Sequence, residues 1–164
     1  MEACARSFLL ENDESLLQAL VDDVEQNIRR MGLFDTGEEL QIGSALEAAL
    51  HNALYRGNLQ IPSSVPRRQC AHESLACRHQ PEFLKRRIRV AATLDGIGVR
   101  FVVRDDGPGF AHVADGANLD SDAISESSRG RVLMQAYMDE VVYNDAGNQV
   151  TLTKYRQRME PTVT

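Results

Sequence analysis

The residues best suited to chemistry stand at the end of an alternating apolar segment, in Asp105-Asp106-Gly107-Pro108-Gly109-Phe110. A carboxylate beside a glycine turn can accept a hydrogen bond from an exocyclic amine such as adenine carries, and glycines at 107 and 109 permit positive φ and let a ligand approach the backbone. Taken alone, D-x-G-x-G is as readily a loop made of good turn formers, so its neighbours must decide. Two Cys-x-His pairs, Cys70/His72 and Cys77/His79, could offer four zinc ligands. Residues 73–76 contain no glycine or proline to fold one pair onto the other, and in a helix the cysteines share a face that the histidines leave. An ordinary polar excursion is the better reading. The acids Asp115, Asp120, Asp122 and Glu126 are spaced too widely for a cation loop. Glu47 and His51 are i, i+4 neighbours, expected as a solvated pair worth about 0.3 kcal/mol on a polar helix face.

Regular elements must position these groups. A short strand over Arg6–Leu10 leads to Asp13, which can cap a helix with Leu17, Leu20, Val21, Val24, Ile28 and Met31 at helical spacing, ended by Gly32. A second helix is expected over 38–56, with Ile42, Leu46, Ala49 and Ala53 on one face and Gly57-Asn58 as its stop. From 60 to 87 the periodicity fails, and three of the five prolines fall there, which predicts a long excursion holding a short helix. Ile88, Val90, Ala92 and Leu94 then alternate, Asp95-Gly96 supplies a turn, and Ile97, Val99, Phe101 and Val103 alternate again, a β-hairpin. An acidic connector follows, then a helix over about 130–138 and two strands around a turn at 144–148. This order predicts an α/β (α+β) two-layer sandwich, with helices on one face of a mixed, largely antiparallel sheet.

The 164 residues suit one domain with a sizeable core. Hydrophobic residues make up 43% and charged residues 26%, a globular balance. A formal charge of −6 with dispersed acids supplies no field for nucleic acid or anionic lipid, so neither is an expected partner. The N-terminal stretch has no basic segment leading into a secretory apolar run, and the 3 cysteines do not form a secreted disulfide framework. A cytoplasmic protein with reduced thiols is expected.

VVRDDGPGF resembles the first glycine box of the GHKL (histidine kinase-like) ATPase superfamily. Upstream, ALEAALHNALYRGN resembles its helical asparagine box. Downstream, SSRGRVLMQAYMDEVVYNDAGNQVTLTKYR resembles the second glycine box and last strands of the anti-sigma-factor serine kinases. The three motifs stand in family order and span essentially the whole chain, as one domain over 1–164 of the Bergerat ATP-binding type, with a lid over about 111–128.

The resemblance implies ATP with Mg²⁺ as ligands. By position it gives Asn52 the Mg²⁺, Asp105 the adenine amine, Gly107 and Gly109 the adenine turn, and Gly130 a place beside the phosphates at a helix start. Arg129 and Arg131 flank that glycine and could add charge there, although solvated arginines are the commoner case. The departures matter as much. The family's base glutamate, four residues before the asparagine, is Ala48. Glu47 lies about 140° around the helix from Asn52 and cannot replace it. Ser128 and Arg131 stand where a glycine and a leucine are usual, and Arg56 where a histidine is. No intact catalytic set remains. The expected function is therefore an ATP-binding regulator of a partner protein, by phosphorylation or sequestration. The implied partners are an anti-sigma-factor antagonist, a sigma factor or a response regulator, with a homodimer also allowed. The alternative is a degenerate interaction module of the same fold.

Overall fold

The computed structural model describes residues 3–109 and 126–157, so most of the expected lid, and Phe110, lie outside the described residues. Strand β1 covers Cys4–Leu10. Helix α1, Glu14–Met31, starts where Asp13 accepts a hydrogen bond from the Ser15 backbone and stops at Gly32 in the left-handed region. Its buried stripe of Leu17, Leu20, Val21, Val24 and Ile28 is the one the periodicity marks. Helix α2, Thr36–His51, opens on a reciprocal capping box between Asp35 and Glu38.

At Asn52 the helix widens. Residues Asn52–Asn58 form a π-helical turn, closed by Leu59 N–H donating to Leu54 O at 3.0 Å. The sequence reading of one α-helix over 38–56 misses this change of register, because periodicity cannot separate α from π over two turns. π-turns of this kind occur mostly where a site needs residues re-aimed.

The excursion holds two helices, α3 over Arg67–Cys77 and α4 over Pro81–Leu84. The hairpin follows as β2, Ile88–Leu94, and β3, Gly98–Asp105. Helix α5 spans Glu126–Tyr137, then β4, Glu140–Tyr143, and β5, Gln149–Tyr155, close the fold. The five strands run in the order β1-β2-β3-β5-β4, and every pair is antiparallel. Alternate residues of β2 and β3, including Ile88, Val90, Phe101 and Val103, are buried under the helices, and α2 packs between α1 and α5. One hydrophobic cluster joins all of these, with Ile42, Leu46, Leu54, Phe101, Met134 and Leu152 fully enclosed.

Candidate nucleotide-binding site

The carboxyl end of β3 brings Asp105 against the π-turn. Asp105 is 6% exposed, and its N–H donates to Asn148 O on the β4–β5 turn at 3.0 Å. One carboxylate oxygen accepts the Gly107 N–H at 2.8 Å, and burial pushes the acid up to about 6, only partly offset by that hydrogen bond. The carboxylate packs against the π-turn at Gly57, where a Cβ would stand 2.5 Å from both of its oxygens. Gly57, expected only as a stop signal, is thus what allows Asp105 to sit here.

The glycine turn is held from below. Asn58 is fully buried; its Oδ1 accepts the Asp106 N–H at 2.7 Å and its amide donates to Asn12 Oδ1 at 2.9 Å. Asn12 in turn donates to Phe83 O at 3.0 Å, tying β1 and α4 into the same network. Asp106 accepts the Arg87 N–H and the Arg89 guanidinium, each at 2.8 Å, so it serves the hairpin and not a ligand. Gly109 takes φ of +80°, as the turn chemistry predicts. Gly107 has no positive φ; it is glycine because a Cβ would overlap the Gly57 carbonyl. Asn12, Gly57 and Asn58 are site-forming residues that sequence reasoning missed. The Gly57-Asn58 pair at the helix stop was the one signal the sequence offered.

At the other end, Asn52 faces α5. A Cβ on Gly130 would lie 3.3 Å from the Asn52 amide nitrogen, 3.6 Å from its oxygen and 3.8 Å from the Ala48 Cβ. Gly130 therefore lets α5 approach the asparagine helix closely. Because α5 begins at Glu126 and not near 130, Gly130 sits beyond the four residues whose N–H groups a helix start leaves free. Arg129 is exposed, in keeping with the solvated reading, whereas the Arg131 guanidinium lies over the Tyr143 ring at 5.2 Å. Burial raises the Tyr143 phenol, with the Arg131 charge opposing, and its hydroxyl oxygen is enclosed without a well-formed hydrogen bond. Tyr143 lines one small cavity together with Asn52, Asp105, Met134 and Asn148.

These groups fit an adenine nucleotide with a hard cation. Asp105 offers a buried carboxylate that would accept an amine, and Tyr143 lines the same cavity with its enclosed hydroxyl beside the Arg131 guanidinium. Asn52 provides a single amide oxygen, which suits a Mg²⁺ whose other ligands are phosphates and water.

The polar face of α2 departs from expectation. His51 is not solvated: its side chain is 12% exposed, because α3 lies across it. Its Nδ1 bonds the Arg67 guanidinium, and its Nε2 stands 3.8 Å from Glu14 and 4.0 Å from Glu47. Burial, then the Arg67 charge, lowers the imidazole to about 4. Tyr55 packs on the ring at 5.5 Å, and its phenol is raised by burial and by Glu14. Glu47 is held 3.8 Å from Arg67, on the side of α2 away from Asn52. Arg56 is likewise structural, donating to the carbonyls of Ile61, Pro62 and Val65. Of the four Cys and His residues in the excursion, Cys70 is buried while His72 and His79 are exposed, and no metal-type cluster occurs among the described residues. A larger depression of about 490 Å³ on the open sheet face, around Thr93, Arg100, Thr151 and Tyr155, is remote from Asp105 and Asn52.

A two-layer sandwich whose helical asparagine and strand-end aspartate converge below a glycine turn has the layout of an ATP-binding domain. The profile of the histidine kinase-like ATPase domain matches residues 10–154, and the chain belongs to that family. No curated protein matches it significantly. Among the described residues, no helix is long and apolar enough to cross a membrane.

Proposed function

We propose that this protein binds Mg-ATP and, in the nucleotide-loaded form, controls a partner protein by sequestration, in the manner of the anti-sigma-factor serine kinases it resembles. The observation that carries this reading is the pairing of an Asn52/Asp105 site with Ala48. Ala48 is 3% exposed and points toward α5, so the place of the base holds a methyl group. Glu47 and His51 do not replace it. Glu47 is paired on another face, and His51 is neutral at pH 7 with its Nδ1 lone pair engaged by Arg67. Asp105 would accept the adenine amine, Tyr143 would add a hydroxyl, and Asn52 would hold the cation that neutralises the phosphates. The Mg²⁺ supplies phosphate charge neutralisation when bound. Without a carboxylate to orient a hydroxyl or water, the barrier to transfer stays high. The proposed partner is a sigma factor, an anti-sigma-factor antagonist or a response regulator, met in the cytoplasm.

Calorimetry with Mg-ATP, alongside a γ-phosphate transfer assay on candidate partners, tests this. Binding without transfer is expected. Transfer that Asn52→Ala abolishes would show a working kinase instead. A second reading, an interaction module that takes no nucleotide, is favoured by the tightness of the cavity between Asn52 and Asp105. Its volume of about 20 Å³ has room for roughly one water. An absence of binding at millimolar Mg-ATP by folded protein would establish that reading.

A further inference from the structure

We propose that Arg67, delivered by the excursion helix α3, recognises the terminal phosphate of a bound nucleoside triphosphate; this rests on the nucleotide-binding reading above. Arg67 lines a second small cavity, which it shares with Ala48, His51, Asn52 and Gly130. That cavity lies on the other side of Asn52 from Asp105, where the phosphates of a nucleotide anchored at Asp105 would extend.

The excursion is fastened so as to hold this cation in place. Arg56 ties the 61–65 segment through three backbone carbonyls, and Cys70, one turn after Arg67, is fully buried with its thiol toward the Val65 and Pro66 carbonyls. The first turn of α3 is thereby pinned to the end of α2. The guanidinium itself bonds His51 Nδ1 and lies 3.8 Å from Glu47, yet the side chain remains 46% exposed. A partly exposed arginine paired at that distance can trade a loose carboxylate contact for a shorter bond to a phosphate oxygen, which its planar fork suits.

Ala48 gives the same arrangement its electrostatic sense. A glutamate at 48 would put a negative charge beside the terminal phosphate and compete for Arg67. The methyl group leaves the lining of the cavity without a carboxylate, its charged side chains being Arg67 and Arg56, of which Arg56 is committed to the carbonyls of Ile61, Pro62 and Val65. The site is then built to distinguish triphosphate from diphosphate by affinity, without consuming the triphosphate.

The competing role for Arg67 is purely structural, clamping α3 to α2 through His51 and Glu47. Calorimetry of the full chain with Mg-ATP and Mg-ADP separates the two. The wild type should prefer ATP, and Arg67→Gln should weaken ATP by about tenfold, equivalent to 1.4 kcal/mol, while ADP moves less than about twofold. Arg67→Lys should keep part of the preference. Should Arg67→Gln fail to fold, Glu47→Gln gives an independent reading, because releasing Arg67 from its carboxylate should tighten ATP and leave ADP unchanged. ATP and ADP shifting in parallel in these variants, or neither shifting, would overturn the inference while leaving nucleotide binding intact. A wild type that binds neither nucleotide would overturn the nucleotide reading itself.

Discussion

Substituting Gly57 by alanine should damage the protein through one identifiable contact. The new Cβ would lie 2.5 Å from both oxygens of Asp105, in a place where the carboxylate is 6% exposed. Ordinary contact needs about 1 Å more, so either the π-turn or the aspartate must move. Overpacking of this kind costs about 1–3 kcal/mol. A displaced aspartate also loosens its bond from the Gly107 N–H, costing about 1 kcal/mol more. Against this, alanine is favoured over glycine in a helical turn by at most about 1 kcal/mol. The net expectation for Gly57→Ala is a loss of about 2 kcal/mol, read as a lower urea midpoint at unchanged slope. In an Asp105→Ala background the overlap is gone, and the same substitution should be neutral or slightly stabilising. The double-mutant cycle should therefore show a coupling of about 2–3 kcal/mol. A Gly57→Ala protein within about 0.5 kcal/mol of wild type, or an equal loss in both backgrounds, would refute the contact.

Asp105 and His51 should oppose each other in acid. The Asp105 value, raised from 3.8 to about 6, costs stability progressively as pH rises from 4 to 6, and the His51 value, lowered from 6.5 to about 4, costs stability as pH falls through the same range. On going from pH 7 to 5, relative to the wild type, Asp105→Asn should accordingly lose about 1 kcal/mol and His51→Gln should gain about 2 kcal/mol. Parallel slopes in both variants, measured by denaturation at each pH, would contradict the burial argument. Asn58→Ala should cost about 3 kcal/mol in a urea titration, since it orphans the Asp106 N–H and the Asn12 amide oxygen network in the interior. A loss under about 1 kcal/mol would mean that the turn is held by other contacts. Ala48→Glu should raise ATP turnover in a phosphate-release assay by at least about 100-fold if only the base is missing, and unchanged turnover would place the defect elsewhere.

The sheet and α1 were legible in the sequence because each is amphipathic with an unbroken period and stopped by its own turn residues, Asp13 and Gly32 at the helix and Asp95-Gly96 in the hairpin. The turn that carries Asp105 was legible in part, since two glycines after an alternating strand mark a sharp turn and its carboxylate, although only Gly109 takes the positive φ expected of both. Less accessible was anything that depended on the excursion. Nothing in the polar face of α2 shows that α3 will cover His51, so a pair expected in solvent is instead buried against Tyr55 and Arg67. The π-turn was hidden for a different reason. Asn52–Asn58 reads as more helix, and only the positions of Gly57 against Asp105 and Asn58 beneath Asp106 show why the register had to change.

The most direct test of the account is calorimetry of Mg-ATP with the wild type, Asp105→Ala and Asn52→Ala, each first shown to be folded. One site per chain is expected in the wild type, with binding lost in Asp105→Ala. In Asn52→Ala, binding should be weakened and should no longer respond to Mg²⁺. Binding that survives both substitutions unchanged, or a folded wild type that takes up no nucleotide, would contradict it.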